Sequence, residues 1–354
     1  MRIHRSAAVL LLSAALIVAG AAGAKTLDFY FIDVEGGQST LIVTPAGESL
    51  LVDTGYVTDG RDAARILAAI KDAGISRIDY LLLTHFHPDH DGGIVELSRN
   101  IPIRTFFDHG SLDPNDATAA GERQWSTWVA AFDAYAAIRE NGRHIQPKPG
   151  ERLPLKGVDA VWVASATATI GKPVPGAGGA NPACEPTAPP PGEPFENPRS
   201  TGFHLRFGKF RFVDLGDLSG EPLFNLFCPN NLLGSIDVYL VPHHGGSDTT
   251  YPATFAVHPR VAIVNNGPNK GGSPEGLAAL RQVLAPEDVW QLHRSQLNGS
   301  VNFPDSQLAN LDETTGHWIK VSASEDGSFR VTNGRTGTVR SYGTRRPMAR
   351  TVAK

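Results

Sequence analysis

Histidine and aspartate crowd one short stretch of this chain, His85-Phe86-His87-Pro88-Asp89-His90-Asp91-Gly92-Gly93, directly after the apolar run Ile78 to Leu83. The run reads as a buried strand, so the polar cluster falls at a strand end. Imidazole nitrogens and carboxylate oxygens are ligands for zinc and related divalent ions. In an extended segment alternate side chains share a face, which lets His85 and His87 grip one ion together. Pro88 disfavours helical geometry at His87 and keeps that pair extended. Asp89 and His90 are adjacent, project in other directions and suit a second ion beside the first. Asp91-Gly92-Gly93 reads as a sharp turn into the next segment. A lone loop histidine is ordinarily just solvated, but three within six residues, interleaved with an aspartate, read as a metal site.

Thr84-His85-Phe86-His87-Pro88-Asp89-His90-Asp91-Gly92-Gly93 resembles the H-x-H-x-D-H signature of the metallo-β-lactamase superfamily. The resemblance implies an α/β fold, a four-layer αββα sandwich, with a one- or two-ion hydrolytic site at one edge. Val213-Asp214-Leu215-Gly216-Asp217 is similar to the family's fourth motif, whose aspartate bridges two ions. Asp217 is preferred to Asp214 because it follows the glycine and sits past the strand. Pro242-His243-His244-Gly245-Gly246-Ser247 resembles the last metal motif of one branch, typified by the extracellular hydrolase domain of the competence DNA-uptake protein ComEC. That branch also includes secreted phosphorylcholine esterases. The opening Phe31 to Ser39 is similar to the branch's Asp-Val-Gly-Gln-Gly-Asp, although here the glycines are reordered and the acidic residue is missing. Asp53 matches the aspartate that ends an early strand and braces the metal loop.

Carried over residue by residue, the resemblance assigns a first ion to His85 and His87. It assigns a second to Asp89, His90 and either His243 or His244, with Asp217 between the two. Asp89 and Asp217 are the expected catalytic residues, and Asp89 also guides the proton. Zinc, one ion or two, is the expected cofactor, with manganese as the other choice. Ions so placed would lower the pKa of a shared water towards ~7 and so supply a nucleophile for phosphorus or a carbonyl carbon. One feature departs from the family: the histidine that many members add to the first ion is missing. The matching region runs from Asn197 to His204. Its Asn197 and Ser200 resemble the Asn-x-x-Ser of the DNA-uptake branch, and His204 falls within a strand.

The expected activity is therefore exported, metal-dependent hydrolysis of a phosphodiester, from nucleic acid or a phosphorylcholine-type ester. A carbonyl hydrolase, lactonase- or β-lactamase-like, would share the chemistry. A non-catalytic metal-stabilised binding protein is the third reading. Structural zinc sites are closed by cysteine and histidine, and neither Cys184 nor Cys228 lies near a ligand motif.

The elements that must position these residues follow from pattern. Arg2 and Arg5, the apolar run Ala7 to Ala19 and Ala22-Gly23-Ala24 read as a signal peptide, residues 1–24, cut after Ala24. The expected location is periplasmic or secreted, with no stable membrane insertion after cleavage. Composition is that of a globular protein, and the formal net charge of −4 gives no overall bias towards nucleic acid. Residues 25–334 read as one hydrolase domain. Strands are expected at Thr26 to Val34, Ser39 to Thr44 and Ser49 to Asp53, then a helix from Asp59 to Gly74. A second helix, Thr118 to Glu140, carries Trp125, Trp128, Phe132 and Tyr135 on one stripe, read as packing against the sheet. His109, in a loop, reads as solvated. Residues 171–198, dense in proline and glycine, read as a long insertion that covers the site or leaves the surface. Export would permit a Cys184–Cys228 bridge. Residues 335–354 read as a flexible basic tail. The oligomeric state is not fixed by the sequence.

Overall fold

A computed structural model describes residues 25–117, 121–184 and 195–345. The expected signal peptide, the centre of the insertion and the last nine residues lie outside the described residues. With strands numbered in chain order, nine described strands form one sheet. Their order is β17 (Val339–Tyr342), β16 (Phe329–Asn333), β15 (Ile319–Ala323), β1 (Leu27–Phe31), β2 (Thr40–Val43), β3 (Ser49–Val52), β4 (Ile78–Leu82), β5 (Ile103–Phe107) and β6 (Arg143–Ile145). Eight form the other, in the order β14 (Leu308–Asn310), β13 (Val289–His293), β12 (Val261–Val264), β11 (Val238–Leu240), β10 (Phe210–Asp214), β9 (Gly202–Phe207), β7 (Asp159–Ser165) and β8 (Ala168–Thr169).

Alternation along each strand sorts side chains into layers. In β1, Leu27, Phe29 and Phe31 enter the core between the sheets, beside Phe212, Leu240 and Trp290. Tyr30, between them, faces outward to meet helices α1 (Arg61–Asp72) and α3 (Ile94–Ser98). One-turn α2 (Pro88–Asp91) precedes α3, and α4 (Glu122–Arg139) adds Tyr135 to the same outer core. On the far face of the second sheet, α5 (Gly220–Phe227) and α6 (Pro274–Val283) cover Val213, Tyr239 and Val264. Helices on both outer faces of two stacked sheets make the expected αββα sandwich. Burying each large apolar side chain contributes roughly 1.5–3 kcal/mol. No described helix is long and apolar enough to cross a membrane.

Two expectations need correction and a third a change of reason. The basic tail starts later than residue 335, because β17 pairs with β16 and Arg340 and Arg345 reach Asp288 and Asp237. Carboxylates and a free strand edge were there to receive it. The insertion is partly built into the core: Val174 is buried, and Cys184 bonds Cys228 at the end of α5. Gly92 and Gly93 do form the turn from α2 into α3, but both are right-handed helical, so the turn does not call for glycine's positive φ. What they supply is room, since a Cβ on Gly93 would lie 2.0 Å from the Thr54 carbonyl oxygen.

Candidate metal centre

The site lies where β3, β4, β10 and β11 release their loops at one end of the sandwich. Leaving β4, the chain stays extended through His87 (φ −93°, ψ 147°), and Pro88 then opens α2 as its first residue. His85 and His87 accordingly share a side, with His85 Nε2 3.0 Å from His87 Nδ1. The single turn of α2 swings Asp89 and His90 inward, both buried.

After β10, Gly216 takes a left-handed conformation (φ 55°) against Thr84, and Asp217 follows it into the centre. Asp217 Oδ2 is the hub. It lies 3.2 Å from His90 Nε2, 3.1 Å from His244 Nε2, 3.7 Å from His243 Nε2 and 3.9 Å from His85 Nε2. Asp214, the other aspartate of that motif, turns away and accepts from Gln38 and the Gly216 amide.

The two histidines after β11 do not alternate faces. His243 (φ 46°) and His244 (φ 55°) are both left-handed, a costly conformation for side chains with a Cβ. The consequence is that both rings reach Asp217. His244 is fully buried, with Nε2 3.1 Å from Asp89 Oδ2 and 3.3 Å from His90 Nε2. His243 stands at the rim, its Nδ1 2.8 Å from Asp248.

Asp89, His90, Asp217 and His244 thus present four ligand atoms within 4.8 Å of one another. His85 and His87 sit beside them, and Asn197 Nδ2 approaches His243 Nε2 at 3.5 Å. The donors suit a divalent ion. His90 Nδ1 lies 2.7 Å from Asp53 Oδ2, which assigns a ring proton to Nδ1 and turns Nε2 towards Asp217, where an ion would take its lone pair. Asp217 Oδ1 is buried without a hydrogen bond among the described residues. Burial drives the His85 imidazole well below its usual pKa and that of His87 down to about 4, so both stay neutral, as ligands must. Burial raises the Asp217 and Asp89 carboxyls, but the pull of the neighbouring imidazoles and, for Asp89, of Lys270 outweighs it and holds both well below the usual range.

Several residues here carried no signal in the motifs. Lys270, from the loop after β12, pairs with Asp89. Glu196, at the end of the insertion, accepts from the Phe86 amide and His109 and pairs with Arg199. His109 is therefore buried and bonded, not solvated. Glu196 fell among prolines and glycines, where no periodicity marks a buried position. Trp128 departs from the sheet-packing expected of its stripe. It lies 5.1 Å from the His87 ring and, with Asp89, Arg123 and Gln124, lines an open cleft of 730 Å³. Phe132 and Tyr135, further along the stripe, do pack inward on Phe86.

The Metallo-beta-lactamase superfamily description matches residues 32–163. Among curated proteins, an atrochrysone carboxyl ACP thioesterase of Aspergillus terreus is 36% identical over 89 residues, 24% of this chain and 27% of that protein. Thioesterase pkgB of Emericella nidulans is 31% identical over 98 residues, 28% of each. The chain spans about a quarter of the length of these relatives. Among solved structures, the metallo-β-lactamase fold protein YhfI from Bacillus subtilis aligns with a TM-score of 0.44 at 10% identity, covering 75% of this chain and 95% of that one. MEM-A1, a subclass B3 metallo-β-lactamase from a soil metagenome library, aligns at 0.37 and 14% identity, covering 62% and 77%. The family match, with the αββα architecture, supports the metallo-β-lactamase superfamily.

Proposed function

We propose that this metallo-β-lactamase-fold chain is an exported, metal-dependent hydrolase of phosphodiesters. The observation that carries the reading is the convergence of His90, His244, Asp89 and Asp217 on one point, with a lysine ammonium beside them. His85 and His87 would hold one ion, Asp89, His90 and His244 another, and Asp217 would serve both. Zinc fits this mixed nitrogen and oxygen set, and manganese is the alternative. When bound, such ions supply an activated water and neutralise developing negative charge.

The chain's own residues supply the rest. Asp53 and Thr84 fix the orientation of His90. Trp128 and α4 wall the cleft through which a substrate reaches His87 and Asp89. His243, held through Nδ1 by Asp248, turns its other nitrogen towards Asp217, where it can pass a proton to a departing alkoxide. The Pro242 to Ser247 motif, similar to the DNA-uptake branch, supports a phosphodiester. The Cys184–Cys228 bridge supports export, because disulfides persist in oxidising compartments.

A second reading, hydrolysis of an acyl thioester, is favoured by the two thioesterase relatives, over a quarter of their length. Zinc-loaded protein should therefore be offered a chromogenic phosphodiester and an acyl thioester side by side. Phosphodiester turnover that stops on chelation, returns with metal and vanishes in Asp89→Ala upholds the proposal. Metal-dependent turnover of the thioester alone replaces it with the second reading.

A further inference from the structure

We infer that Lys270 is the anion-recognition residue of this site, placed to hold a negatively charged phosphoryl oxygen of the substrate beside the metal ligands. The inference rests on the hydrolase reading above and narrows its substrate to one that is anionic at the reacting group.

Among the described residues, Lys270 is the only lysine or arginine paired with a candidate metal ligand. Its ammonium meets Asp89, while its side chain keeps 37% exposure and so stays open to the solvent side of the site. The loop that carries it is tightly placed. The Gly267 amide donates to the Lys270 carbonyl at 2.8 Å, and a Cβ on Gly36 would lie 2.9 Å from Lys270 Cβ. On the other side, a Cβ on Gly271 would lie 2.4 Å from His244 Cβ. Lys270 is thus wedged between the Glu35–Gly36 turn and a metal ligand, and the loop cannot drift without disturbing both.

A carboxylate committed to a divalent ion does not need a lysine. Once an ion engages Asp89, the ammonium faces a cation at short range and has lost its counter-charge. An anionic oxygen lying between ion and ammonium restores the balance. A lysine serves phosphate well as a point charge, whereas a neutral carbonyl substrate would leave it uncompensated.

The probe is inorganic phosphate, bound to zinc-loaded protein and followed by calorimetry, with zinc content measured in the same samples. Lys270→Met should weaken phosphate about tenfold, the loss of one charge-assisted contact. Lys270→Arg, which keeps the charge, should bind nearly as wild type, and zinc content should be equal in all three. Equal phosphate affinity in wild type and Lys270→Met overturns the inference. So does zinc loss in Lys270→Met, which would make the lysine a support of the ligand set. Phosphate binding requires no turnover. A Lys270-dependent phosphate site in a protein that leaves phosphodiesters intact would uphold this inference and overturn the proposed function.

Discussion

Asp53 Oδ2 lies 2.7 Å from His90 Nδ1, and the same carboxylate accepts from the Thr84 amide and the Thr84 hydroxyl, each at 2.7 Å. One buried side chain therefore fixes both the backbone where the metal loop leaves β4 and the ring that faces Asp217. Asp53 is itself left-handed (φ 59°), a conformation asparagine also tolerates. Asp53→Asn keeps an acceptor for Thr84 but turns an amide donor towards His90, working against its inward lone pair. Zinc affinity, measured by competition with a chromogenic chelator, should fall about 10–100-fold. Unchanged affinity would remove Asp53 from the role.

Glu196 ties two segments distant in sequence to its own turn: it meets the Phe86 amide at 3.0 Å, His109 Nε2 at 2.8 Å and, three residues on, Arg199 Nη1 at 3.3 Å. Its carboxyl is held down to about 2: burial opposes ionisation, but His109 and the Phe86 amide outweigh it. The stability it contributes is present above the unfolded value near 4.5 and is lost as pH falls towards 2. Glu196→Ala leaves these partners buried and unmatched and should cost about 3 kcal/mol. Denaturant titration at neutral pH reads this directly, and the difference from wild type should shrink in acid.

His204 lies within β9, paired to Val161 and Val213, with Nε2 buried and lacking a partner among the described residues. Burial, with Arg211 and Arg206, lowers its pKa from 6.5 to about 4. The unfolded chain thus binds a proton that the folded chain refuses, and stability is lost as pH falls from 6.5 through 4. At ~1.4 kcal/mol per unit, the loss is about 3 kcal/mol. His204→Leu should flatten that limb of the stability curve. Parallel curves for the two proteins between pH 4 and 6.5 would refute the assignment.

The sequence showed much of the sandwich because both of its codes are local. Alternation in β1 and the α1 periodicity mark buried faces without knowledge of what covers them. The extended His85 and His87 pair was legible for the same reason, since Pro88 follows it directly, whereas the single turn of α2 was not. What was hidden depends on long-range meetings. His243 and His244 stood as alternatives for one ligand position, and only the paired left-handed backbone brings both to Asp217. Lys270 and Glu196 belong to stretches whose glycines and prolines erase periodicity. The turn at Gly92 and Gly93 was legible, but the close approach of the Thr54 carbonyl that demands glycine there was not.

The order of the first sheet has a consequence for how the chain comes together. Strand β1 sits inside that sheet, with β2 on one side and β15 on the other, so Leu27 to Phe31 meets Ile319 to Ala323 from the opposite end of the chain. During synthesis β1 through β5 can assemble early, yet one edge of β1 stays unpaired until the last strands emerge. That exposed edge is a template for pairing with another copy, and long-range closure of this kind is slow. Truncation before Ile319 should therefore harm solubility well before it reaches the chemistry, because β15, β16 and β17 supply none of the candidate metal ligands.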